Sequence, residues 1–184
     1  QSDADVERAL ARRGIKVSRR LGFNNSYAIG IKRTLAAELG LTKVSDLGAR
    51  QSEDAVARLK FGFSDEFMNR GDGWPGFSRA YGLPDRARGL DHNLAYRGIR
   101  SDAIHVTDVY TTDPEIAAYD LTTLADDLGY FPQYACVVLY RADLLERAPR
   151  VVENWLLLED AIDEPTMTKL NARARIDRVS EGRV

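Results

Sequence analysis

The chain is short of the residues that most often announce chemistry. Cys136 is its one cysteine, which excludes an intrachain disulfide and a cysteine-rich zinc site. Its two histidines, His92 and His105, stand in no metal-ligand spacing, so no metal is expected. Neither a Gly-x-Ser-x-Gly elbow nor a Walker-type phosphate loop occurs. Gly71-Asp72-Gly73 does not follow a strand and open a helix as a dinucleotide fingerprint should, and no cofactor is expected. A formal net charge of -2 argues against nucleic-acid binding driven by a basic surface. No apolar run approaches a membrane span, and the longest, from Ala135 to Tyr140, fits a buried strand. The chain opens on a charged segment with no initiating methionine and no signal peptide, so a processed chain or an excised piece is expected.

What is present suits a packed globular protein. Of 184 residues, 44% are hydrophobic and 29% charged, enough for one large domain or two small ones. Residues 3 to 13 read as a helix capped by Asp3 or Ser2 and stopped by Gly14. Ile15 to Leu21 and Tyr27 to Ile31 read as strands. Helices follow at Lys32 to Leu39, from Ser45, and at Glu53 to Leu59. Leu59 to Phe63 alternates like a strand, and Ser64 caps a helical turn over Asp65 to Asn69. Gly71 to Gly76 is a turn, then Phe77 to Tyr81 is a helical turn ended by Gly82. Asp91 caps a helix from His92 to Ile99, and Ala103 to Tyr110 is the best strand in the chain. A short helix after Pro114, strands at Asp120 to Leu124 and Tyr134 to Tyr140, and helices at Ala142 to Arg147, Arg150 to Ala161 and Pro165 to Asp177 complete the order. Strands alternating with helices predict an α/β sheet, at least partly parallel.

Between the first two strands lies Leu21-Gly22-Phe23-Asn24-Asn25-Ser26-Tyr27-Ala28. Two asparagines that tolerate left-handed backbone make it a sharp turn, and an aromatic stands at the strand start beyond it. Strand ends that feed loops are where α/β proteins place ligand contacts, though an ordinary loop with a core tyrosine fits these residues as well. Five of the eight tyrosines, Tyr27, Tyr81, Tyr110, Tyr130 and Tyr134, stand beside turns. Rings that converge there would hold a quaternary ammonium group by cation–π attraction; tyrosine also simply favours strand edges. Asp113, Asp120, Asp126, Asp127, Glu159 and Asp160 leave a paired-carboxylate hydrolase open on counts alone, while Asp126-Asp127 reads as a solvated turn. No enzyme is expected.

Five segments in series resemble one family. The stretch from Leu21 to Ala28 resembles "LGFNNTYA", and Glu66 to Gly73 resembles "EFxxRxDG". Val106 to Asp113 resembles "VxDxYSTD". Asp126-Asp127 followed by Phe131 to Tyr134 resembles "DD…FPxY", and Met167 to Asn171 resembles "MxxLN". The family is the substrate-binding component of ABC importers for glycine betaine, choline, carnitine and related osmoprotectants. The resemblance implies an α/β, type II periplasmic-binding-protein-like fold, two lobes that close on ligand at a cleft. It implies an N-terminal helix and crossover strand over 1–20, lobe two over 21–110, and a C-terminal return to lobe one over 111–184. Lobe two would be complete, with only the C-terminal part of lobe one, because the family's N-terminal half ending near "PEYTGT" has no counterpart here. Exposed apolar surface is therefore expected, or a homodimer or swap that covers it, and this stretch alone is expected to bind ligand weakly or not at all.

Carried over by position, Tyr27, Tyr110 and Tyr134 would wall an aromatic cage. Asn24 and Asn25 would hold the turn or touch ligand, and Thr111, Thr112 and Asp113 would shape the rim. Pro114 replaces the family's Gly after that Asp. Arg70 and Asp72 read as a structural turn pair. The implied partners are a small quaternary ammonium ligand and the permease subunits in the membrane, with no nucleic acid. The implied location is extracytoplasmic, periplasmic or anchored at the outer face of the plasma membrane. Two rivals are an effector-sensing domain of a transcription regulator with the same fold, which needs a helix-turn-helix ahead of residue 1, and an enzyme on this fold.

Overall fold

The computed structural model describes residues 3–184. Ser2, the alternative cap of the first helix, lies outside the described residues. Asp3–Ala11 forms α1, and Ile15–Asn24 forms β1, a strand three residues longer than the alternation marks. Tyr27–Lys32 (β2) runs into Arg33–Leu39 (α2), followed by the short helices Val44–Ala49 (α3) and Asp54–Ala57 (α4). Gly62–Ser64 (β3) leads into Asp65–Asn69 (α5), whose N-terminus is capped by the Ser64 side chain accepting from the Phe67 N–H. Trp74–Tyr81 (α6) starts a turn earlier than expected, with Pro75 in the first turn where its missing N–H is harmless. Arg88–Leu90 (β4) precedes His92–Arg100 (α7), where Asp91 accepts from the Asn93 and Leu94 N–H groups as expected. Val106–Tyr110 (β5), Glu115–Ala118 (α8) and Leu121–Leu124 (β6) follow. Ala135–Arg141 (β7), Leu144–Arg147 (α9), Pro149–Leu156 (α10) and Glu164–Arg175 (α11) end the chain, with a final 3-10 turn at Glu181–Arg183.

The sheets are mostly antiparallel. β2 is central in the order β5-β2-β6, and both pairings are antiparallel. Among the described residues, parallel pairing is confined to β3 with β4 and to isolated bridges at Phe61–Val106 and Lys43–Ala125. The boundary at 110 expected from sequence falls inside this sheet, because β6 pairs with β2. β1 and β2 do not pair with each other. β1 pairs with β7 in a separate antiparallel ribbon, so the Asn24–Ser26 segment is a crossover between two sheets.

The core sits on the β5-β2-β6 side. Ile29, Ile31, Leu47, Phe61, Phe63, Phe67, Phe77 and Val106 are all buried. Phe63 packs on Trp74 at 4.7 Å and on Phe67 at 5.3 Å between ring centres. A second apolar cluster, Tyr96, Ile99, Ile104, Val109 and Leu121, fills the opposite face. The ribbon and the helices after it are less covered, as expected: Leu139 is 53% exposed and Leu157 75%. Fold type and exposed tail thus agree with the reading of the sequence. The left-handed backbone does not sit where it was expected: neither asparagine has positive φ, and the unusual residue is Gly22, at φ +120°. A Cβ there would stand 2.7 Å from the Ile162 carbonyl oxygen, because the tail runs alongside β1 at that point.

Candidate binding pocket

Tyr27 opens β2 and Tyr110 closes β5, and the register sets them opposite each other. Their rings lie 4.9 Å apart and their hydroxyls 3.2 Å apart. The Tyr110 hydroxyl is also 3.4 Å from Glu66 Oε2, so its single proton serves one acceptor at a time. Burial pushes the Tyr27 hydroxyl far above its ordinary range, and the Tyr110 contact adds to that. Burial raises Tyr110 as well. Both rings therefore stay neutral.

Tyr27 forms one wall of a pocket of 240 Å³, lined also by Phe67, Arg70, Tyr130, Phe131 and Tyr134. Phe67 stands 5.4 Å and Phe131 5.9 Å from the Tyr27 ring centre. The volume lies below the range of about 300–1,000 Å³ typical of drug-sized ligands, so the pocket suits a small one. Tyr134 stands on the strand approach, 37% exposed, tied in by the Asn25 N–H donating to its carbonyl at 3.1 Å. Gly73 has no room for a side chain, because a Cβ would overlap the Phe67 carbonyl oxygen at 2.0 Å. The loop can therefore close on α5.

Arg70 is the cation of the pocket, and Asp72 beside it is the anion. The Arg70 guanidinium carbon lies 5.8 Å from the Tyr27 ring centre, a cation–π distance. Asp72 accepts from it at 2.8 and 3.0 Å, and Glu66 at 3.3 Å. These bonds raise Arg70 further above its ordinary range, and they hold Asp72 below the usual carboxylate range. The structural pair read from sequence is present, and it also lines the pocket.

The other expected contacts sit elsewhere. Tyr110 supports Tyr27 from behind and does not line the pocket. Asn24 ends β1 with its Oδ1 buried and unpartnered, while Asn25 Oδ1 accepts from the Thr112 hydroxyl at 2.7 Å. The Thr111 hydroxyl accepts from the Ser26 N–H at 3.2 Å and lies 3.4 Å from the Asn24 carbonyl. Thus Asn25, Thr111 and Thr112 stitch the crossover to the end of β5. Asp113 is buried rather than at a rim, and accepts from the Tyr96 hydroxyl, the Tyr110 N–H and Arg175. Asp126 is not a solvated turn acid either. Its carboxylate takes the Tyr81 hydroxyl and the Tyr130 and Phe131 N–H groups, which aims the two rings at the pocket. Sequence reasoning missed Phe67, Arg70 and Phe131 as lining residues, and Tyr130 entered only as one of five turn-edge tyrosines. The three missed residues lie inside the segments that carry the family resemblance, which was the available signal.

Comparison with known proteins narrows the identity. The chain is 31% identical over 157 residues to the ergothioneine transport permease/ergothioneine binding protein EgtU of Helicobacter pylori, covering 85% of this chain and 28% of that protein. It is 31% identical over 169 residues to the glycine-betaine-binding protein of Pseudomonas aeruginosa, covering 88% and 54%. A crystal structure of a glycine betaine/carnitine/choline ABC transporter superposes with a TM-score of 0.80 at 29% identity, over 97% of this chain and 64% of that one. The chain therefore spans about half the length, or less, of these two relatives and about two thirds of that structure. The fold is that of the type II periplasmic binding proteins, and the relatives are binding and transport proteins, not enzymes. Residues 1–183 match the substrate binding domain of the ABC-type glycine betaine transport system, and the chain belongs to that family.

Proposed function

We propose that this domain captures a small zwitterionic quaternary ammonium compound for an ABC importer at the outer side of the membrane. The observation that carries the reading is the Arg70 guanidinium over the Tyr27 ring, inside a small pocket walled by Phe67, Phe131 and Tyr134. That face already holds a cation. A trimethylammonium head donates no hydrogen bonds, so aromatic faces and exclusion of water are what can bind it. Glycine betaine, carnitine and ergothioneine share such a head and a carboxylate. In this reading the head displaces Arg70 from the Tyr27 face, and the released guanidinium meets the ligand carboxylate. Tyr110 stiffens Tyr27, and the Asn25 and Thr111 hydrogen bonds hold the crossover behind it.

Calorimetric titration of the full-length protein with glycine betaine, ergothioneine and choline tests this. Tyr27→Ala is expected to weaken binding by about 1–2 kcal/mol, or about five- to thirtyfold. Arg70→Met is expected to weaken the two carboxylate-bearing ligands and spare choline, which has no carboxylate. Unchanged affinity in Tyr27→Ala would remove the cage.

A further inference from the structure

The turn over residues 110–115 is tied to the C-terminal helix α11 by charge and hydrogen bonding. Asp113 is only 4% exposed, yet four groups converge on its carboxylate. Oδ1 accepts from Arg175 Nη1 at 2.8 Å. Oδ2 accepts from the Tyr96 hydroxyl at 2.6 Å and the Tyr110 N–H at 2.9 Å, and faces His92 Nε2 at 3.3 Å. The second Arg175 nitrogen reaches Glu115, also buried, at 2.9 Å. Asn171, four residues before Arg175 and on the same helix face, donates to the Thr112 carbonyl at 3.1 Å. Two buried carboxylates thus share one guanidinium. Removing it would strip Glu115 of its cation and leave Asp113 Oδ1 without its donor, which costs far more than breaking an exposed pair. The turn is consequently held where α11 puts it. It carries Tyr110, whose N–H is one of the donors to Asp113 and whose ring packs between Tyr27 and His92, at 4.9 and 5.3 Å.

We infer that Arg175 and Asn171 are positioning residues for the binding pocket: the β2–β5 register sets Tyr110 opposite Tyr27, and through Asp113 and Thr112 the two α11 residues fix the turn at Tyr110, so the wall is held firmly only while α11 is seated. No α11 residue lines the pocket, so the helix acts through the turn. Coupling of this kind is reciprocal, and ligand that orders the wall also tightens α11. The inference rests on Tyr27 being a ligand wall, and the experiment separates the two.

Amide hydrogen exchange is measured on the full-length protein without ligand, for the wild type, Arg175→Met, Arg175→Lys and Asn171→Ala. Exchange at the Tyr110 and Asp113 amides is expected to rise about tenfold or more in Arg175→Met while β2 amides stay protected. Arg175→Lys restores part of the protection, and Asn171→Ala gives a smaller rise. Glycine betaine is then titrated by calorimetry with Tyr110 intact and in a Tyr110→Ala background. Arg175→Met is expected to weaken binding about tenfold only where Tyr110 is present, the signature of a coupled pair. Unaltered exchange at those two amides, a rise spread evenly along the chain, or the same loss of affinity in both backgrounds overturns the inference. Should Arg175→Met not fold, Asn171→Ala decides by the same readouts. If the wild type binds none of glycine betaine, choline and ergothioneine, the ligand reading fails, while the exchange arm still judges the lock.

Discussion

Between Tyr27 and Phe131 most large apolar side chains are buried, whereas along β1, β7 and the helices after Arg141 they stay half in solvent. Phe63 and Phe77 are fully buried, and Phe61 and Phe67 nearly so, in one aromatic network. In the second region only Leu21 and Val152 join the buried set, while Leu139, Val151, Trp155, Leu157, Leu158 and Ile176 are exposed. That region is held instead by backbone pairing and ions. The Asp160 and Ile162 N–H groups donate to the Arg20 and Leu21 carbonyls, and Arg19 bridges Glu159 and Asp160. Exposed ion pairs and a two-stranded ribbon are weak stabilisers by themselves. The lesson is that a chain of even composition can concentrate its stability in one part, and this one places its pocket at the edge of the stable part.

The comparison can be broken most directly in the core. Phe63→Ala is expected to cost about 3–5 kcal/mol, and Leu139→Ala no more than about 0.5 kcal/mol, by urea unfolding. Equal losses would mean that the ribbon is as well packed as the sheet. A smaller effect is expected at Ser64, whose N–H and hydroxyl both reach the buried Asp108 at 2.6 Å and whose oxygen caps α5. Ser64→Ala should cost about 1–3 kcal/mol by the same assay, since one Asp108 oxygen loses its donor. In the thinner region, Gly22→Ala is expected to cost about 1–3 kcal/mol through backbone strain and the clash with Ile162. Its effect should be local: faster hydrogen exchange over residues 159–163, with β2 and β5 unchanged.

The smallest expected effect is a pH dependence at the junction of the two regions. Burial opposes ionisation of Asp113, but His92, Tyr96, the Tyr110 N–H and Arg175 outweigh it and hold its carboxyl below 3.8. Its stabilisation is therefore complete above 3.8 and is lost as pH falls through the lower folded value. For His92, burial disfavours the cation, but Asp113 and Asp108 outweigh it and raise the group above 6.5. That contribution is complete below 6.5 and is lost as pH rises through the raised folded value. Thermal unfolding across this range should show the wild type weakening on both sides, and His92→Gln should flatten the alkaline side while making the acid side shallower, since Asp113 loses one of the groups that hold it low. An unchanged alkaline limb would show that His92 carries no charge in the fold.

Local signals read from sequence hold where the physics is local. Ser64 and Asp91 cap the helices that follow them, and Gly40 and Gly82 end theirs, because a cap needs only its own turn. β4 was not legible. It has three residues and no alternation, and it exists because β3 offers it an edge. The site was partly legible: of the three tyrosines proposed as a cage, Tyr27 and Tyr134 line this pocket and Tyr110 stands behind Tyr27. The resemblance puts Asp113 at a rim, and His92 and Tyr96 from α7 with Arg175 from 62 residues later draw it into the interior.

By itself the sequence determined the family, the element types, the capped helix starts and the tyrosines at strand ends. Each is written in residue identities a few positions apart. Only the tertiary structure decided that β1 pairs with β7 and leaves β2 to β5 and β6, that Gly22 and not an asparagine takes the unusual backbone, and that Arg70 sits on the Tyr27 ring. Those outcomes depend on which distant segments arrive at the same place. Burial then sets what a charge there requires, and no local pattern encodes it.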